Sequence, residues 1–477
     1  MDNRYDVIVV GAGPAGYMCA YELTVKKPEY KVLLIDKGHD IYHRNCPILE
    51  KKISKCPTQK NGFVGCLPYC SITNGFGGAG AYSDGKFNIT SEYGGWMNEY
   101  LDEAKIEQLI RYADEVNLHF GAPDSITDPT TAKVKEIERK GLAVGLKLLR
   151  GRVRHLGTEI NLKILKNIYE FLKDKIEMRY KTEVEDIITE NERIKGVILT
   201  NKEELFADKV FIAPGRDGSM WLADLCQRHG IMMRANHVDI GVRVETSNSV
   251  MEEINENLYE GKFIYRTSSG SQARTFCANP SGHVVMENHS GTILANGHAY
   301  YDNQLGSKNT NFAILVSHNF TEPFNQPNEF AHGVSKLANM LSNGAVIVQR
   351  YGDLKKNRRS TVKRINEGFV RPTLLEAVPG DLGLVLPYKT MKSIMEMIEA
   401  LDHVTPGIAS EHTLLYGVES KFYSSRPDVD NNFQSQVAGL YFGGDGAGIT
   451  RGLAQAGATG IWVAREVING FHEDKLQ

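Results

Sequence analysis

No apolar run in the 477 residues approaches the ~20 needed to cross a bilayer, so a membrane-spanning helix is not expected. Excess charge is missing too: 55 Lys and Arg against 58 Asp and Glu leave a net −3, which gives no global attraction to nucleic acid or to an anionic membrane surface. The opening MDNRYDVIVV lacks the basic start and small-residue cleavage site of a secretory signal, and a cytoplasmic home is the simplest expectation. Seven cysteines, an odd number in a long chain, argue against a disulfide framework and for a reducing compartment. Neither His-Glu-x-x-His nor Cys-x-x-Cys occurs, and there is no internal repeat or long low-complexity linker. What is left is an ordinary globular composition, 42% hydrophobic and 24% charged, on a chain long enough for two domains or one with insertions.

The strongest signal stands at the start. Residues 6–10 (DVIVV) form a short β-branched run of the kind buried on both faces of a sheet, and GAGPAG follows at once, from Gly11 to Gly16. A helix comes next, and then a second strand, KVLLID, which ends in Asp36 ~20 residues past the last glycine. Each part has a physical task. Gly11 makes a tight turn, Gly13 lets the backbone approach a pyrophosphate, and Gly16 lets the helix pack closely on the strand. Amides at the helix start, around Pro14 and Ala15, face phosphate, and Asp36, followed by Lys37, can accept hydrogen bonds from ribose hydroxyls.

Residues 438–466 read as a strand ending in Gly444-Asp445, a glycine loop, and a helix from about Leu453 rich in Ala and Gly. They resemble the second flavin-binding motif of the glutathione-reductase-type FAD enzymes. The resemblance implies that Asp445 holds the ribityl chain and that the amides of Gly452, Leu453 and Ala454 point at the flavin pyrimidine, where a helix N-terminus favours negative charge. NAD has no ribityl chain, so FAD is the expected cofactor. Residues 182–218 resemble the third FAD-contacting segment of that superfamily, a β-meander, with Val184 near adenine and the turn Ala213 to Gly215 beside the cofactor. A helix with Thr158 as N-cap and apolar residues at 3.6-residue spacing precedes it.

One glycine-rich stretch, GFGGAGAYSDGK from Gly75 to Lys86, follows no buried strand and so is not a second nucleotide fold. It is read as a loop crossing the flavin and pyrophosphate, with Gly77, Gly78, Ala79, Gly80 and Ser83 against the cofactor and the glycines letting backbone amides come close. Together with GDGAGITRGL near residue 445, RTFCANPSGHVV (274–285) and GVESKFYSSRP (417–427), it is similar to a family of bacterial FAD-dependent dehydrogenases defined by fold and cofactor. The resemblance covers nearly the whole chain and says little about substrate.

The expected fold class is α/β: a discontinuous Rossmann-like FAD-binding domain built from 1–45, 156–225 and 426–477, with a Cys/Gly-rich flavin loop and helical insertion at 46–155 and a β-rich α+β substrate domain at 226–425. Lys86, Asp84 and Arg451 are the leading polar candidates near the isoalloxazine, Asp84 alternatively capping a turn and Arg451 alternatively pairing with a structural carboxylate. Tyr423 and Arg426 follow by nearness to the flavin strand. Cys46, Cys56, Cys66 and Cys70 invite an iron–sulfur reading, but their spacing matches no compact ferredoxin pattern, so no metal is expected. Residues 133–154 hold eight Lys and Arg against two Glu, and 350–364 hold seven against one Asp. Such runs are solvated faces or sites for an anionic substrate or carrier-protein partner. The preferred function is an FAD-dependent oxidoreductase acting on a small organic molecule by hydride transfer. Its alternatives are a non-redox flavoprotein, such as an RNA-modifying or isomerising enzyme, and an electron-transfer module; the electron donor or acceptor is open.

Overall fold

The computed structural model describes residues 3–47, 50, 52, 57, 66–83, 85–258, 261–289, 292–298, 306–321, 323–324, 326–423 and 426–474. Asp84 and Cys56, both singled out in the sequence, lie outside the described residues. The chain divides into two compact units, Met1–Asp128 with Gly151–Arg234 and Ser424–Gln477, and Pro129–Arg150 with Ala235–Tyr423.

The first unit is built on a seven-stranded sheet. Its centre is the apolar strand Arg4–Val10, parallel on one side to Val32–Ile35 and on the other to Glu204–Ile212. The last of these pairs with Arg193–Leu199 along its first half and with Leu440–Phe442 along its second, so the β-meander and the returning C-terminal strand share one neighbour. Burial on both faces explains why Val7, Ile8, Val9, Leu33, Leu34, Val210 and Phe211 are all apolar and inaccessible. The helices Pro14–Lys26 and Leu453–Asp474 cross closely, because a β-carbon on Gly460 would stand 1.9 Å from Ala15 O.

The second unit is an eight-stranded sheet, antiparallel except where Ile347–Arg350 meets Val378–Pro379. Its long central strands, Val238–Ser247 and Asn309–His318, pair in register from Val238↔His318 to Ser247↔Asn309. The fold is therefore α/β, Rossmann-like in the first unit and β-rich α+β in the second.

Two local expectations change. The segment Pro129–Arg150 belongs to the second unit rather than to the stretch 46–155: the strand Leu146–Leu148 pairs with Phe263–Arg266, and Val134, Ile137 and Leu146 join that unit's core. The helix expected to start at a Thr158 cap runs Gly157–Leu172, with Leu156 as its first flanking residue and no side-chain cap there.

Candidate functional site

Four separate pieces of the first unit converge at the C-terminal ends of its parallel strands, the place where open α/β sheets bind ligands. The first is the turn after Val10. Gly11 has φ +99, and a β-carbon there would stand 2.1 Å from Ala213 O, so only glycine fits between the two strands. Gly16 has its own constraint, since a β-carbon on it would meet Gly11 O at 1.7 Å. Pro14 opens the helix, and Gly13 before it offers no side-chain cap to the first amides.

Asp36 ties this turn to the second piece. Its Oδ2 accepts from Ala12 N at 2.8 Å, while Oδ1 accepts from Gly38 N at 2.7 Å and Gly75 N at 2.9 Å. Of about four acceptor positions on a carboxylate, three serve the chain and one is left for a hydroxyl. Lys37 is turned to Asp217 at 2.7 Å. The backbone at Lys181 and Thr182, just before Val184, is bonded to Gly38 O and Asp36 O, which brings the start of the meander to the same edge.

The glycine stretch lies directly on the first turn. Gly77 N donates to Ala12 O at 2.8 Å, and residues Gly78–Tyr82 form a single tight 3₁₀ turn. A β-carbon on Gly78 would stand 3.0 Å from Gly13 Cα, and one on Gly80 would meet Leu453 Cδ2 at 2.4 Å. The nearest neighbours of these glycines are thus the phosphate-type turn and the C-terminal helix, and the stretch serves first as a seam between them. Ala79 is exposed. Ser83 closes the turn on Gly80 O at 2.8 Å. Phe76, fully buried against Tyr17 and Tyr169, anchors the whole stretch.

Asp445 organises the third piece. Its Oδ1 accepts from the Thr450 hydroxyl at 2.8 Å and from Gly452 N at 3.2 Å. Burial pushes its carboxyl above the ordinary range, with Arg216, Thr450, Gly452 and Arg451 pulling the other way. The fourth piece, Ala213 to Gly215, is held there by Gly446, on which a β-carbon would stand 2.1 Å from Gly215 O. Gly444 lies against Ala15, and Ala454 is buried in the first turns of its helix. Against these tight seams, Gly215 and Gly452 have open space where a side chain would begin, and Gly13 has only Gly78 Cα at 3.9 Å. Backbone lined by such open glycines, beside two helix N-termini, is a cradle suited to a long anionic dinucleotide.

The polar candidates are spread. Lys86 starts a two-stranded sheet opposite His155, and Arg451 N donates to Gly94 O at 2.6 Å. Arg426 is buried over Tyr100 and paired with Glu99 at 2.6 Å, and its Nε and Nη1 have no hydrogen-bond partner among the described residues. In the second unit, Tyr423 and Arg274 each approach Asp239 Oδ2 to 2.5 Å. Burial pushes the Asp239 carboxyl up, but Arg274 and His237 outweigh it and hold the group well below the usual range. Three residues that sequence reasoning missed support the cradle: Arg44, which donates to Ser71 O, Ile72 O and Phe76 O; Asn161, which donates to Gly80 O; and Gln455, which donates to Tyr93 O. Nothing in their local sequence marks them.

Cys46 and Cys70 are free thiols, and no group of three metal-ligating side chains occurs among the described residues. We expect elemental analysis of the purified protein to find no stoichiometric iron or zinc. Near-equimolar metal would overturn this, and loss of turnover in Cys66→Ser with FAD retained would assign that thiol a redox part.

Residues 5–145 match the pyridine nucleotide-disulphide oxidoreductase family, and residues 237–422 match the C-terminal domain-like family of FAD-dependent proteins. The chain is an FAD-dependent oxidoreductase. Its cofactor is FAD. Over 97% of its length it is 27% identical to an uncharacterised protein of Clostridium beijerinckii, covering 81% of that protein. Solved structures similar to it include the quinol fumarate reductase of E. coli, with 12% identity, TM-score 0.40 and coverage of 98% of this chain and 70% of that one. Another is the glycine oxidase of Geobacillus kaustophilus, with 14% identity, TM-score 0.36 and coverage of 98% and 95%.

Proposed function

We propose that this oxidoreductase, of the glutathione-reductase type in its FAD-binding motifs, dehydrogenates or reduces a small organic substrate by hydride transfer at the flavin. One observation carries the reading: Gly11 to Gly13, Gly75 to Gly80, Ala213 to Gly215 and Gly444 to Gly452 are fastened into one glycine-lined cradle by Asp36, Gly77 N and Gly446. FAD supplies the hydride chemistry when bound. The chain's own residues do the rest. The N–H groups of Gly13, Ala15 and Gly16 take the pyrophosphate, Asp36 offers its remaining acceptor position to a ribose hydroxyl, and Asp445 holds the ribityl chain. Val184 and the turn at Ala213 line the adenine and pyrophosphate sides, and the amides of Gly452, Leu453 and Ala454 face the pyrimidine edge.

The purified protein is expected to be yellow and to release FAD on denaturation; release of FMN or NAD in its place would sink the reading. Anaerobic bleaching of the visible flavin band by NADPH or by a fractionated metabolite pool then identifies the reductant, while bleaching by neither favours a non-redox role.

Lys86, with Arg451 and Asp84, is assigned to charge near the isoalloxazine or its substrate. A cation there stabilises the negative charge gained on reduction. Lys86→Met is therefore expected to retain FAD and to lower the midpoint potential by roughly 20 mV or more, the two-electron equivalent of ~1 kcal/mol. A dye-linked redox titration measures this, and an unchanged potential together with unchanged turnover would remove Lys86 from the site.

A further inference from the structure

The two basic stretches have different fates. In the first, Lys133 and Lys140 are paired with Glu136 and Glu253, Arg150 with Glu138, and buried Arg154 with Asp114. In the second, Arg358 and Arg364 pair with buried Asp353, Arg350 and Lys356 with Glu411, and Lys363 with Glu367 at 3.9 Å, while the side chains of Lys355, Lys356, Arg358, Arg359 and Lys363 stay exposed. From Arg350 to Arg371 the sequence holds eight cations against Asp353 and Glu367, in a chain whose net charge is −3. The near-neutral total conceals a segment with an excess of cations.

The same part of the fold also carries apolar side chains it does not use. Ile365, Val370, Leu374 and Ala377 fill its core with Val346, Val348, Leu414 and Tyr416. Their neighbours Phe369 and Leu375 point outward and are 85% and 83% exposed, with Val362 and Leu384 also exposed. The two parts are neighbours along the chain and in the fold: Ser360 N donates to Gly380 O at 2.9 Å, Arg359 Nη2 donates to Pro379 O at 3.4 Å, and the Phe369 ring lies 4.2 Å, centre to centre, from that of His412, which Arg350 Nη2 approaches to 3.2 Å.

We propose that this face of the second unit docks on an anionic lipid surface. Cations spread around protruding Phe and Leu side chains match a negatively charged headgroup layer above hydrocarbon, and apolar side chains standing this far out need no complementary pocket there. A second copy of the chain in a two-fold contact would bring the same cations face to face. No helix among the described residues is long and apolar enough to cross a membrane, so the attachment is peripheral.

The test is flotation of the FAD-loaded protein with phosphatidylglycerol-rich vesicles and with pure phosphatidylcholine vesicles, at low and high salt. Binding is expected only to the anionic vesicles and only at low salt. Partition should fall about 5-fold for each cation lost in Arg359→Gln and Lys363→Gln. Phe369→Ser with Leu375→Ser should weaken it through the apolar contact. Both double variants should keep wild-type flavin content and Tm, so a failure here is separable from a failure of the redox reading. The proposal is overturned by equal binding to neutral vesicles, by no binding to either, or by undiminished binding of both variants. It is equally overturned if Phe369→Ser abolishes a concentration-dependent dimer while no vesicle is bound, which would assign the face to a second copy.

Discussion

Asp36→Ala is expected to yield a folded but largely colourless protein. The carboxylate accepts from three backbone amides belonging to three different stretches, those at Ala12, Gly38 and Gly75. A hydrogen bond to a charged group is worth ~1.5–3 kcal/mol, and the amides freed here stand on loops that water can reach, so part of the loss is recovered by hydration. What hydration does not restore is the mutual position of the loops. Even ~3 kcal/mol of lost organisation weakens FAD retention by about 100-fold. Asp36→Asn should fall between, because the amide oxygen can still accept while the NH₂ group would face one or more backbone N–H donors. Flavin content after gel filtration, read beside the thermal midpoint, checks the result. A variant with stoichiometric FAD and unchanged Tm would mean that the loops hold themselves together without Asp36.

The frame of the site was legible because its determinants are local. Strand, glycine turn, helix and acid succeed one another within Arg4 to Asp36, and the C-terminal strand, glycine loop and helix start are similarly compact from Leu440 to Leu453. What supports that frame is not local. Asn161 reaches Gly80 O and Arg44 reaches Phe76 O across long stretches of chain, and a polar residue on a helix or in a loop carries no sign of such a partner. The place of the segment Pro129–Arg150 is hidden for the same reason, since its three-residue strand finds its partner more than a hundred residues away.

The central strand of the second unit misleads in another way. Val238, Ile240, Val242 and Val244 alternate with Asp239, Gly241, Arg243 and Glu245, a pattern that ordinarily reads as apolar inside and polar to water. Here both faces are covered, and Asp239, Arg243 and Glu245 are all fully inaccessible. They are tolerated because each is met by designated partners: Asp239 by Arg274, Tyr423 and Ser317, Arg243 by Asn311 and Glu419, and Glu245 by Tyr416 and Thr373. Alternation reports the strand; it does not report what lies on its polar side.

Gly78→Val should abolish FAD retention while leaving the fold in place. Gly78 has φ +56, and a β-branched residue held there costs ~1–3 kcal/mol in strain. Its β-carbon alone would stand 3.0 Å from Gly13 Cα and 3.6 Å from Pro14 Cδ, and the two γ-carbons of valine add bulk against the same turn. The stretch cannot withdraw, because Gly77 N is bonded to Ala12 O and Phe76 is locked in the core. Strain is therefore relieved by displacing Gly13 itself, the turn proposed to receive the pyrophosphate, and a shift of a few tenths of an ångström would be felt most by the cofactor. The sheet and its core, which Gly78 does not enter, remain. Ala104→Val supplies the control, since that side chain is exposed at the start of the helix Glu103–His119, outside the four pieces, and should leave FAD content unchanged. Absorbance ratios of protein to flavin for the two variants, with circular dichroism to verify folding, decide the matter: equal and full FAD content in both would reduce the Gly75 to Lys86 stretch to a surface turn.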